Sequence, residues 1–194
     1  MNINTNIEYE ATFTNVNKDD IHSRLKTAGA KLIKPDFLQK RVNFKLPSGH
    51  EIPGGWLRVR DERDKITMSL KVVDGNEIEN QKEICLTIDN FKMGLKFLEA
   101  IGAKKKAYQE TRRELWALDG VEITIDEWPY LEPYVEIEGK SEASVKAVSE
   151  KLKFDYSQTI FGAVDILYAK KYNIDVKKIN TTKKITFDDP NPFI

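Results

Sequence analysis

Apolar and polar residues alternate along several short stretches of this chain, and between those stretches the apolar positions recur at helical spacing. Residues 7–13 put Glu8, Glu10 and Thr12 on one face of a predicted strand and Tyr9, Ala11 and Phe13 on the other. Asn17 is placed to cap a helix with an apolar stripe of Ile21, Leu25 and Ala28, and Gly29 ends it. After Pro35, residues 39–46 read as a second strand, followed by a loop that Pro47, Gly49, Pro53, Gly54 and Gly55 punctuate. Residues 56–60 alternate cleanly, with Arg58 and Arg60 sharing a face. A polar turn at 61–64 leads into a strand at 66–72 whose polar face carries Thr67, Ser69 and Lys71. These two strands predict a hairpin.

The second half echoes the first at an offset of 73 positions: Glu10 falls on Glu83, Asn17 on Asn90, Leu25 on Leu98, and Gly29-Ala30-Lys31 on Gly102-Ala103-Lys104. Each half is a strand with an acid, a capped helix closed by Gly-Ala-Lys, then further strands, which predicts an internal pseudo-twofold repeat. Residues 109–116 form a strand with Arg112 and Arg113 on opposite faces, and Asp119-Gly120 signals a tight turn. Residues 121–126 alternate strictly, with Glu122, Thr124 and Asp126 together. In the next strand Glu136 and Glu138 face one way and Val135 and Ile137 the other. Ser141 opens a helix bearing Val145, Val148 and Leu152, and a last helix is expected over about 157–172. The expected division is a domain over 1–172 and a tail over 173–194 that reads as a strand plus a loose end.

Such a run of about eight short strands with intervening helices predicts an α+β fold built on an antiparallel sheet or barrel. Composition changes the picture in one respect. Charged residues make up 32% of the chain, yet Lys+Arg and Asp+Glu balance at 31 each, which removes the basic footprint of a nucleic-acid binder. The meaning of the charge therefore lies in its placement. A single cysteine, Cys85, excludes an internal disulfide and fits a reducing compartment. No apolar run approaches the ~20 residues of a membrane span. Residues 1–5 lack the basic-then-apolar pattern of a signal peptide. The expectation is a cytoplasmic protein with neither nucleic-acid nor membrane partner, either monomer or homodimer.

On the polar faces, arginines and acids come in pairs two residues apart. A one-sided sheet with its charged face in water fits the alternation alone. A closed barrel instead turns those faces into a lumen, where mixed charges are tolerable if a charged ligand offsets them. Arginine suits phosphate through two parallel hydrogen bonds, and hard carboxylate oxygens suit Mg²⁺ or Mn²⁺. Polyphosphate with metal satisfies both kinds of residue. No Cys/His spacing for zinc, no Ser/His/Asp arrangement and no phosphate-binding loop competes with this reading. His22 and His50 read as surface histidines.

The ordered set Glu8-x-Glu10, Leu57-Arg58-Val59-Arg60, Leu70-Lys71, Glu83, Arg113-x-x-Trp116, Ile125-Asp126-Glu127 and Tyr134-Val135-Glu136-Ile137-Glu138 resembles the CYTH proteins, or triphosphate tunnel metalloenzymes, over roughly residues 7–172. That family includes class IV adenylyl cyclases and thiamine triphosphatases. The resemblance implies an eight-stranded antiparallel β-barrel around an open tunnel, with helices packed outside, and Mg²⁺ or Mn²⁺ held by Glu8, Glu10, Glu83, Asp126, Glu136 and Glu138. A triphosphate-bearing small molecule would be gripped by Arg58, Arg60, Lys71 and Arg113, with Glu8, Glu10, Lys71 and Arg113 in catalytic roles. The chain departs from the pattern at three places. Thr12 stands where the family's first motif has lysine, Thr111 where a second basic residue is common, and Arg41 where many members carry an acid. Lys45 and Arg41 are the expected substitutes for the missing charge. Hydrolysis of a triphosphate, cyclisation of ATP, and non-catalytic binding of polyphosphate or nucleotide all fit these motifs.

Overall fold

The computed structural model describes residues 6–194; the segment 1–5, where the absence of a signal peptide was read, lies outside the described residues. The chain runs β1 (Asn6–Ile7), β2 (Tyr9–Phe13), α1 (Lys18–Ala28), β3 (Lys31–Lys45), β4 (Gly55–Asp61), β5 (Ile66–Val73), β6 (Gln81–Ile88), α2 (Phe91–Ala100) and β7 (Lys104–Leu118). It continues as β8 (Val121–Glu127), β9 (Tyr134–Gly139), α3 (Glu142–Lys151), α4 (Asp165–Tyr172), α5 (Val176–Thr181) and β10 (Lys184–Ile185).

The strands follow the order β1-β6-β5-β4-β3-β7-β8-β9-β2, with every neighbouring pair antiparallel. β1 pairs with β6 at one end of this path and β2 with β9 at the other. Only Glu8 separates β1 from β2, and its N–H donates to the carbonyl of Gln81 at 2.9 Å. One bent strand thus joins the two ends of the sheet, and the result is the expected antiparallel barrel with helices outside. Counting β1 and β2 together, eight strands form the wall. β10 is an addition, pairing in parallel with the N-terminal part of β7 that β8 does not reach.

The repeat is legible in this order. β3 and β7, each 15 residues long, lie side by side at its centre. Outward from them β4 answers β8, β5 answers β9 and β6 answers β2. Asn17 and Asn90 each cap a helix by accepting a backbone N–H three residues on. Gly29 and Gly102 adopt φ of 80° and 90° just past α1 and α2, a left-handed conformation open to glycine at little cost.

Three sequence expectations need correction. The strands expected at 39–46 and 109–116 are the far parts of β3 and β7, which begin earlier because pairing with each other extends them past Pro35 through register shifts. The helix expected over 157–172 is only α4. Ahead of it Thr12 and Ile160 form a bridge, and Gly162 at φ 118° breaks helical geometry. The tail end is not loose: Ile179, Ile185 and Phe193 are buried against Trp128, Tyr134 and Tyr168. Among the described residues no helix is long and apolar enough to cross a membrane.

Alternation decides which side faces in. Ala11, Phe13, Ile123, Ile125, Val135 and Ile137 point outward and are buried under α1 and α3 with Leu25, Val145 and Leu152. Their polar neighbours are left to fill the barrel interior.

Candidate functional site

The interior holds a cavity of about 200 Å³. Its lining comes from the inward positions of β2 to β7 and β9, and from α4, α5 and β10 at one end. Strand alternation brings together residues distant in sequence. Arg41 on β3 is the register partner of Arg60 on β4, and Glu10 on β2 is the partner of Glu138 on β9.

The wall made by β3, β4, β5 and β7 is basic. Arg58 donates to Glu83 at 2.9 Å, and Arg60 pairs with Glu62 at 2.7 Å. Lys71 lies 2.7 Å from Glu8 and 3.5 Å from Glu83. Arg113 donates to both oxygens of Asp126 at 2.7 and 2.8 Å, and to Glu136 at 2.6 Å. These carboxylates raise the Arg113 guanidinium's pKa well above its usual value despite burial, Asp126 contributing most.

Arg41 is different. It is buried, its Nη2 donates only to the neutral oxygens of Gln39 and Thr111, and its guanidinium lies 4.7 Å from the Trp128 ring centre. Burial together with Arg60, Arg58 and Arg113 lowers its pKa well below the usual arginine value. Arginine still carries its charge at neutral pH. The Nε atoms of Arg41 and Arg58 are buried donors without a hydrogen-bond partner among the described residues. Such groups are rare in folded proteins, and each marks a place where an acceptor belongs.

The wall made by β2 and β9 is acidic. Burial pushes Glu8 and Glu10 up to about 7 against the pull of Lys71; Glu83 and Glu138 add to the rise at Glu8, and Glu138 and Glu8 to that at Glu10. Burial also raises Glu136, with Glu10 and Asp126 adding to it. Glu83 moves the other way: burial is outweighed by a hydrogen bond from Glu8 and by Lys71 and Arg58.

Glu8, Glu10, Arg41, Arg58, Arg60, Lys71, Glu83, Arg113, Glu136 and Glu138 all line the cavity. Two of the expected residues do not. Lys45, at the exposed end of β3, lies on a separate outer groove with Lys104, just past the register shift between Asn43 and Phe44 that interrupts the strand's alternation. Asp126 is fully buried behind Arg113, and Thr124 also donates to it at 2.5 Å. Nor do Lys170 and Lys171 of α4 enter; Lys171 pairs outside with Glu132.

Several lining residues were missed. Asn43 donates to Gln109 at 2.9 Å across β3 and β7, and Lys106 donates to Asn180 at 2.7 Å, which in turn donates to Asp165. Asn43 was recoverable from alternation, being two residues past Arg41. Asp165 and Asn180 carry no local signal, since the packing of the C-terminal segment places them.

The donor set fits a magnesium-like ion. Glu8 and Glu10 are hard oxygen donors, crowded and short of positive charge, which a divalent cation relieves. Among the described residues no three acids or histidines are grouped closely enough to hold a metal alone. Mg²⁺ usually takes one or two carboxylates and fills its shell with water and substrate phosphate. The fit is thus to a cation that binds together with a phosphate chain.

The family model described as the CYTH domain matches residues 50–165. Among solved structures, a candidate adenylate cyclase from Vibrio parahaemolyticus gives a TM-score of 0.73 at 12% identity, covering 85% of this chain and 99% of its own. A Pyrococcus horikoshii protein gives 0.65 at 21% identity, covering 79% and 94%. A candidate adenylyl cyclase from Hippeastrum, described as having dominant triphosphatase activity, gives 0.53 at 12% identity, covering 88% and 98%. At these identities the likeness is one of fold. No curated protein matches the chain by sequence.

Proposed function

The chain belongs to the CYTH domain family, and from that premise we propose that its interior binds a triphosphate-bearing small molecule together with Mg²⁺ or Mn²⁺ and turns it over. One observation carries this reading: a cavity inside the barrel in which Arg41, Arg58, Arg60, Lys71 and Arg113 face Glu8, Glu10, Glu136 and Glu138, with buried guanidinium donors of Arg41 and Arg58 still free among the described residues.

In this reading Arg58 and Arg60 bind the phosphate oxygens, and Arg41 adds a charge that no protein carboxylate neutralises. Arg41 donates to Thr111, so its charge lies beside the position where the family commonly has a second basic residue. Asp126 and Glu136 hold Arg113 rigidly, which suits it to stabilising charge that grows on the departing phosphate. The metal, when bound, supplies neutralisation of phosphate oxygens and an activated nucleophile. Glu8 and Glu10, with carboxyls raised to about 7, are suited to accepting the nucleophile's proton near neutral pH. Attack of water on the terminal phosphorus makes the protein a triphosphatase. Attack of a ribose 3′-hydroxyl on the α-phosphorus makes it an adenylyl cyclase.

Purified protein incubated with tripolyphosphate, thiamine triphosphate and ATP, with Mg²⁺ or Mn²⁺ and with chelator, separates these outcomes by product. Metal-dependent turnover of at least one is expected; turnover of none contradicts the enzymatic reading. Thr12 favours a second reading, a barrel that binds polyphosphate or nucleotide without turnover. It is buried opposite Glu136, its backbone bridges Ile160, and it supplies no charge. Tight metal-linked binding without turnover, with turnover gained in Thr12→Lys, supports that alternative.

A further inference from the structure

The pseudo-repeat assigns every outward position in one half a counterpart in the other, and one set of counterparts does not match in environment. Ile84 and Leu86 on β6 correspond to Ala11 and Phe13 on β2. Ala11 and Phe13 are 0% and 3% exposed, whereas Ile84 and Leu86 are 37% and 54% exposed. On the helices, Met93, Phe97 and Ile101 at the end of α2 correspond to Asp20, Arg24 and Ala28 of α1. Met93, Phe97 and Ile101 are exposed by 58%, 53% and 48%.

The cause is a missing element. After β9 the chain forms α3, which covers the outer face of β2 with Val145, Val148 and Leu152. The flank of α1 beside it is polar for a reason: Arg24 donates to the carbonyls of Leu152 and Lys153 at the end of α3, and Asp20 pairs with Arg24. After β5, in the corresponding place, there is only a short 3₁₀ turn, Ile78–Asn80. The outer face of β5–β6 therefore has no counterpart of α3 over it. The residues that would flank such a helix are apolar instead of an Asp/Arg pair. Glu99 pairs with Lys105 of β7, which turns the opposite flank of α2, with Met93 and Phe97, towards that bare face.

We infer that this face, built from Ile84, Leu86, Met93, Phe97 and Ile101, is where a second copy of the chain docks, each copy covering in the other what α3 covers internally. The five side chains expose on the order of 500 Å² of apolar surface, the size of patch that marks association sites. With its rim, such a patch approaches the ~800 Å² that each partner buries in an ordinary stable interface. Exposed residues of both signs flank it, with Asp89 just ahead of α2 and Lys96 within the helix. A two-fold contact brings a patch against itself, and a mixed rim can pair there where a rim of one sign would repel.

The test is molar mass in solution across a concentration series, by light scattering after size exclusion. The expected wild-type mass is twice the chain's 22.4 kDa. The variant Met93→Asp/Phe97→Arg gives α2 the ion pair that α1 already has, so it should keep the wild-type circular dichroism and run at the mass of one chain. Leu86→Glu, on the sheet rather than the helix, is expected to do the same and guards against a helix-specific artefact. A wild-type protein at single-chain mass up to hundreds of micromolar overturns the inference, leaving the face to a different protein. A dimer that survives both variants overturns it too, by placing the interface elsewhere.

Discussion

The two walls of the barrel interior carry opposite charge, and they handle it differently. On the basic wall nearly every cation has its own acid: Arg113 is held by Asp126 and Glu136, Arg58 by Glu83 and Arg60 by Glu62. Arg41 alone of the four arginines has only neutral partners. On the acidic wall Glu8, Glu10 and Glu138 crowd one another with Lys71 as their main cation, and Glu8 and Glu10 retain protons up to about 7. One wall has donors left over and the other has negative charge left over. Each lacks what a metal–phosphate complex brings.

The comparison predicts that equal-sized substitutions have unequal consequences. The largest effect on folding is expected from Arg113→Ala, which leaves Asp126 and Glu136 buried without their cation. Breaking such a pair from one side costs about 3–5 kcal/mol. At roughly 2–4 °C per kcal/mol for a chain this long, thermal unfolding should fall by about 10 °C. A variant as stable as wild type would show that the basic wall is not internally neutralised.

Arg41→Met should do the reverse, since no carboxylate loses a partner. Stability is expected to hold or rise slightly, while tripolyphosphate affinity falls. A charged hydrogen bond is worth ~1.5–3 kcal/mol, so the loss should be on the order of tenfold to a hundredfold by titration calorimetry. Unchanged affinity would remove Arg41 from the binding set.

The smallest effect concerns protons on the acidic wall. An unfolded glutamate titrates at 4.5, while Glu8 and Glu10 in the fold titrate at about 7. Between those values the folded chain keeps protons that the unfolded chain has released. Stability of the chelated protein should therefore fall as pH rises from 4.5 to 7 and level off above it. Glu10→Gln should flatten that slope and raise the unfolding temperature at pH 7. A slope of opposite sign would contradict the crowding of these acids.

How much of this was legible beforehand follows from what each signal depends on. Alternation within a strand needs only the strand, so the inward faces of Glu8/Glu10, Arg58/Arg60 and Glu136/Glu138 could be read directly. The capped helices after Asn17 and Asn90 were equally local, and their matched spacing exposed the repeat. Barrel closure followed from the family resemblance and not from any local pattern, because it depends on β1 and β2 pairing with strands far away in sequence. Lys45 was misplaced because it shares parity with Arg41 and Asn43, and the register shift between Asn43 and Phe44 that takes it out of the cavity depends on pairing with β7. Asp126 faces inward as expected, but only the structure shows Arg113 covering it. Asp165 and Asn180 reach the cavity through packing of the C-terminal segment on Trp128 and Tyr168, which no local pattern announces.

The central claim is that anion and cation bind as one ligand, each to the wall that lacks it. Titration calorimetry of tripolyphosphate into the wild-type protein, with excess Mg²⁺ and again with chelator, tests it most directly. The account predicts one-to-one binding that Mg²⁺ strengthens by at least about tenfold. Binding of equal strength under both conditions, or no binding under either, would contradict it.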